Sequence, residues 1–158
     1  MSTEMKRRIF LKRSLAAGSV GIAAATGLLA PQQVLAAWNK TAFEAKDLDS
    51  ALNALLGSAD MSESGEIKVK APDIAENGAV VPITVETDMS GVESIAVIAS
   101  NNPVPLVANF VLGPGALSFV STRIKMGKTG DVIGVVKAGG KLYSAKKEVK
   151  VTIGGCGG

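Results

Sequence analysis

Histidine is absent from the 158 residues, and cysteine occurs once, at Cys156. Without an imidazole the chain can build neither a Ser-His-Asp triad, nor a Cys-His dyad, nor a histidine-rich metal site. With one thiol it can close no internal disulfide, so Cys156 needs another explanation. A stable membrane anchor takes roughly 20 strongly apolar residues. The best candidate, residues 15–30, is weakly apolar, interrupted by Gly18, Gly21 and Gly27 and closed by Pro31. No anchor is expected. A net positive field is also missing once the N-terminus is accounted for.

That N-terminus carries Lys6, Arg7, Arg8, Ile9, Phe10, Leu11 and Lys12 ahead of the Ala/Gly-rich run. This is the pattern of a twin-arginine export signal, with Arg7 and Arg8 as the arginine pair. Val34, Leu35 and Ala36 place cleavage after Ala36, with Ala37 the near alternative. Removing residues 1–36 takes away five of the 17 Lys and Arg and one of the 14 Asp and Glu. The formal charge of +3 then becomes −1, with 12 cations against 13 anions. The pI of 9.1 therefore belongs to the signal. Nucleic acid and anionic lipid, which select for positive fields, are not expected partners. The expected location is the periplasm, reached by a route that carries folded proteins.

About 122 mature residues suffice to bury a core without a covalent staple. Residues 41–56 predict one helix. Thr41 and Glu44 have capping-box spacing, Ala45, Leu48, Leu52 and Leu55 recur at helical intervals, and Gly57 stands where a left-handed C-cap falls. Its apolar stripe packs on its own domain or on a partner, and the sequence leaves both open. After the polar stretch 58–65 the period switches to two. Ile67 and Val69 alternate with lysines, and Val81, Ile83 and Val85 alternate with Pro82, Thr84 and Glu86. Further strand candidates cover 92–99, 106–112, 117–125, 132–138 and 142–153, separated by glycine-rich turns at 113–115, 127–130 and 139–140. Pro82 marks its strand as an edge. Seven or so short strands without crossover helices predict an all-β fold, an immunoglobulin-like antiparallel β-sandwich preceded by an N-terminal helix. The expected division is a signal at 1–36, a helical arm at 37–65, the sandwich at 66–153 and a tail at 154–158.

The carboxylates are scattered over helix, turns and strand faces, the pattern of a solvated surface. Residues 134–141 superficially resemble a phosphate loop, but that motif puts lysine directly after its second glycine, and Gly140 occupies that slot. Two strand ends joined by a turn account for the stretch. The chain closes on Gly154-Gly155-Cys156-Gly157-Gly158. So much glycine resists ordering on its own domain, so the thiol is expected to be mobile and exposed. Three residues past Ile153 carry it about 10 Å beyond the sheet. Glycine on both sides also leaves no bulk to obstruct entry into a narrow cleft. No Lys or Arg lies within five residues, and nothing in the sequence lowers the thiol from its ordinary ~8.5. Cys156 reads as an attachment point that partner enzymes activate. An intermolecular disulfide is compatible with that role. A prenylation signal is not, since it needs cysteine fourth from the end.

From Val149 through Val151-Thr152-Ile153 to the last glycine, the terminus resembles the cysteine-bearing Y-subunit family of the SoxYZ sulfur carriers of bacterial thiosulfate oxidation. Lesser support comes from residues 78–85, with Val81-Pro82-Ile83, and from Arg123-Ile124-Lys125-Met126. The resemblance implies that Cys156 is the covalent substrate acceptor and that Gly154, Gly155, Gly157 and Gly158 form its arm. It implies a heterodimer with a SoxZ-like subunit and no cofactor or metal in the carrier itself. It also implies three partner activities. A SoxAX-like c-type cytochrome couples thiosulfate to the cysteine, and a SoxB-like dimanganese hydrolase releases sulfate. Depending on the organism, a SoxCD-like sulfane dehydrogenase oxidises the remaining sulfur. Because nothing in the sequence would hold a cofactor, twin-arginine export is expected to serve a prefolded complex with a signal-less partner. Two other readings stay open. One is a non-covalent binding module tethered through Cys156, and the other is a carrier acting through its terminal carboxylate.

Overall fold

Two short polar side chains, Asn39 and Asp47, decide how the chain begins to fold. The computed structural model describes residues 39–152. The Asn39 carboxamide oxygen accepts the Ala42 N–H at 3.1 Å and starts helix α1, Lys40–Glu44. Ala45 turns extended, and the Asp47 carboxylate accepts the Ser50 N–H at 2.8 Å to start α2, Leu48–Leu56. The single helix expected over 41–56 is therefore two, capped at Asn39 and Asp47 and not at Thr41. The reason is local competition: a carboxylate inside a would-be helix captures backbone donors and begins a new one. Gly57 does adopt the left-handed conformation, with φ 84°, and its N–H closes on Asn53. The Asn39 amide also donates to the Ala54 carbonyl at 2.6 Å, tying the two helices together.

Among the described residues nine strands follow: β1 Met61–Glu63, β2 Ile67–Lys70, β3 Ile74–Ala75, β4 Val81–Thr87, β5 Val92–Ala99, β6 Leu106–Val111, β7 Phe119–Ile124, β8 Gly130–Ala138 and β9 Lys141–Val151. One sheet runs β1-β9-β8-β5-β6, with β3 also on β9, and the other runs β2-β4-β7. The two sheets face each other as an immunoglobulin-like sandwich. Val81, Ile83 and Val85 of β4 meet Ile95 and Val97 of β5 and Val132 and Val136 of β8 in the core between them. At Gly134 a Cβ would stand 2.8 Å from Val85 Cγ1, so the absent side chain lets the sheets approach there. Gly139 and Gly140, both at positive φ, make the two-residue turn between β8 and β9.

Pairing is antiparallel except on one flank of β9, where β1 and β3 run parallel to it. Both are short, and neither shows the extended alternation by which a strand is recognised in sequence. β5 is buried continuously from Ile95 to Ala99 because both of its faces are covered. The core covers one face, and the helical pair covers the other, setting Ala42, Ala51 and Leu52 on Ala96, Ile98, Leu106, Val135 and Leu142. The helical stripe thus packs on its own domain.

Pro82 does not mark an edge strand, since β4 lies between β2 and β7. Its position is nevertheless open on one side. The Thr87 N–H points to β7, and by alternation position 82 faces the β2 flank, where pairing stops at Lys70 opposite Thr84. No ladder donor is lost there.

The Ser50 N–H and hydroxyl hold the Asp47 carboxyl below its ordinary 3.8. A depressed folded value means that the cap's contribution is complete above the ordinary value and is lost as pH falls through the depressed one. Carboxyl carbon shifts followed against pH should give Asp47 a midpoint below 3.8. Asp47→Ala should fray α2 at neutral pH, seen as faster amide exchange at Ser50, whereas Asp47→Asn keeps the acceptor.

Candidate functional site: the root of the C-terminal tail

Every residue singled out from sequence as a site lies outside the described residues: Cys156 with Gly154, Gly155, Gly157 and Gly158, and the export pair Arg7 and Arg8. What the structure describes is the platform from which the tail leaves. β9 is hydrogen-bonded as far as Thr152. The Lys150 N–H donates to the Asp73 carbonyl at 3.0 Å and the Thr152 N–H to the Ala75 carbonyl at 3.1 Å, which is the parallel pairing with β3. On the other flank the Val151 N–H donates to Thr129 Oγ1 at 2.9 Å.

Three loops converge on this strand end. The segment after β3 folds back through Asn77, whose side chain accepts the Ala79 N–H at 2.9 Å. It brings the Gly78 carbonyl to the Met126 N–H at 2.7 Å. A Cβ on Gly78 would collide with the Met126 carbonyl oxygen and stand 2.8 Å from Val151 Cγ1. The 125–130 turn is held in turn by the β5–β6 loop. Asn102 donates to the Lys125 carbonyl at 2.7 Å and accepts the Gly127 N–H at 2.9 Å, and Asn101 donates to the Thr129 carbonyl at 2.7 Å.

Lys125, Lys128 and Lys150 stand exposed on these segments beside the acidic Asp73 and Glu76. Asp73 is paired with Lys147 at 3.0 Å. Among the described residues no cluster of His, Cys, Asp and Glu is placed to hold a metal ion. Among them, too, no helix is long and apolar enough to cross a membrane. A shallow depression of about 330 Å³ lined by Lys68, Glu86, Thr87, Asp88 and the Leu117–Phe119 stretch lies at the opposite end of the β2-β4-β7 sheet.

The platform residues carried little sequence signal. Asn101, Asn102 and the 127–130 stretch read only as turn chemistry, with nothing to show that they meet. A hint lay in the two segments of lesser resemblance, 78–85 and 123–126. Their ends, Gly78 and Met126, touch each other directly beneath Val151.

Residues 52–156 match the family of the sulfur oxidation protein SoxY. The chain belongs to the SoxY family. The matched stretch begins inside α2 and runs through Cys156, and it contains Gly78, Asn101, Asn102 and Thr129. Among solved structures, that of the sulfur carrier protein SoxY from Chlorobium limicola f thiosulfatophilum is 48% identical. The match covers 68% of this chain and 97% of that one, with a TM-score of 0.62. The human F-spondin reeler domain matches at 14% identity over 59% of this chain and 93% of that one, with a TM-score of 0.40. That likeness carries no argument. A search of the curated proteins found no match.

Gly78→Ala should lower unfolding stability by about 1–3 kcal/mol, because the clash is with main chain that cannot swing aside. Urea unfolding of the mature chain checks it. An unchanged midpoint would mean that the 74–80 segment shifts freely.

Proposed function

We propose that this chain is a periplasmic sulfur carrier that holds thiosulfate and its derivatives covalently on Cys156 and presents them to partner enzymes. The observation that carries the reading is the placement of the chain's one thiol, four residues beyond Thr152, within the stretch matched to a family whose Chlorobium member is described as a sulfur carrier protein. At full extension four residues reach about 13–14 Å from a rigidly held strand end. That distance brings the thiol to a reactive centre recessed in a partner while the sandwich stays outside.

The chemistry balances with the partners supplying activation. The Cys156 thiolate joins the outer sulfur of thiosulfate to form a disulfide bond, giving an S-thiosulfonate and releasing two electrons to a c-type cytochrome. Water then attacks the terminal sulfone at a dimanganese hydrolase. Sulfate and two protons leave, and a persulfide stays on Cys156. A sulfane dehydrogenase consumes that sulfur where the organism has one. This chain contributes no base and no metal to these steps; its work is to hold, position and hand over. A Z subunit completes the carrier as a heterodimer, and the pair crosses the membrane folded on the twin-arginine signal of this chain.

Intact-mass spectrometry of protein from thiosulfate-fed cells should show thiosulfate and sulfane additions that a reductant removes and that Cys156→Ser lacks. A free thiol alone, or only a disulfide-linked dimer, would instead support a tethered binding module. Export is checked separately. Replacing Arg7 and Arg8 with lysines should leave the unprocessed chain in the cytoplasm on fractionation, and continued appearance in the periplasm would rule out the twin-arginine route.

A further inference from the structure

Strand β8 begins at Gly130 opposite Val149, so main-chain pairing on that flank of β9 ends before Val151. An unpaired N–H and C=O at this point would leave the strand end held on one flank only, by β3. Instead the Thr129 hydroxyl accepts the Val151 N–H at 2.9 Å and donates toward the Val151 carbonyl oxygen at 3.5 Å. A hydroxyl both donates and accepts, so one atom can stand in for the missing residue of the neighbouring strand. Thr129 is itself held in place. Its carbonyl accepts from the Asn101 amide, and Gly130 sits so close that a Cβ there would lie 2.9 Å from the Asn101 nitrogen.

We propose that Thr129 is a positioning residue for Cys156, its hydroxyl replacing the absent main-chain partner of Val151 and so holding, on one flank while β3 holds the other, the strand end from which the chain runs on to Cys156. The consequence for transfer rests on the carrier reading above; the clamp does not. With the clamp closed, Cys156 lies four residues past Thr152, a reach of about 13–14 Å at full extension. With the strand end frayed back to Val149, its β3 hydrogen bonds at Lys150 and Thr152 lost as well, Cys156 lies seven residues out, about 23–25 Å, and the bulky Lys150, Val151 and Thr152 join the arm. The longer arm lowers the thiol's effective concentration at any one partner site by about twofold. It also puts side chains where a narrow mouth admits only glycine.

The test compares the full mature chain with Thr129→Val, which removes the hydroxyl, and Thr129→Ser, which keeps it. Thr129→Val should speed amide exchange at Val151 by on the order of tenfold. The amide of Val135, deep in β8, should exchange alike in all three proteins. A nitroxide on Cys156 should broaden signals near 73–80, 101–104 and 125–129 in the parent and in Thr129→Ser, and over a visibly wider area in Thr129→Val. Parental exchange and broadening in Thr129→Val would overturn the proposal. So would a Thr129→Ser protein as loosened as the valine variant, which would assign the effect to the methyl group. If these readouts hold while Cys156 takes up no sulfur from thiosulfate, the clamp stands and the carrier reading falls.

Discussion

A main-chain N–H buried away from water without a partner costs about as much as a lost hydrogen bond, and β9, at eleven residues, presents a long row of donors. Four separate pieces of chain pair with parts of that row. β8 pairs along one flank to Val149, β1 and then β3 take the other, and the Thr129 hydroxyl completes the end. The two parallel pairings, foreign to a plain antiparallel sandwich, follow from this demand. A chain running from the helices toward β4 must pass β9, and it leaves two or three residues of backbone there each time. The loop contacts at Gly78, Asn102 and Asn101 then hold those pieces where β9 needs them.

The same accounting explains the layers. A sheet buried on one face only would alternate in β5, yet six consecutive residues there, Ser94 to Ala99, are buried. Covering the second face takes an apolar lid, and the helical pair supplies it with small residues, Ala42 and Ala51, that let the helices approach closely. The smaller β2-β4-β7 sheet carries the core's other wall and presents Lys68, Lys70 and Arg123 to solvent.

Much of this was legible in sequence. Alternation together with runs of branched residues located the seven longer strands, glycine pairs located their turns, and Gly57 its helix cap, because each is a local rule written in adjacent residues. The misses were non-local or competitive. Asp47 broke a helix that the apolar stripe alone would have continued, and β1 and β3 exist only because β9 offers them hydrogen bonds. Pro82 sits in a central strand since what matters is whether β2 reaches that far. Cys156 stood out by its glycine neighbours, whereas Thr129, in a turn of ordinary composition, acquires its partner only when two distant segments meet.

On the carrier reading, glycine around the thiol also governs how long each encounter lasts. Ordering a residue costs roughly 1–2 kcal/mol, and glycine loses the most freedom of any. Seating five or six tail residues in a cleft therefore costs on the order of 5–12 kcal/mol, comparable to the whole free energy of a micromolar complex, about 8 kcal/mol. A side-chain-rich tail would recover that cost through contacts and stay bound. A glycine tail recovers little beyond what the sulfur group itself offers, so affinity follows the chemical state of the adduct. A carrier that must leave one enzyme for the next needs that dependence, and a rigid root confines the ordering cost to the few residues that enter the cleft.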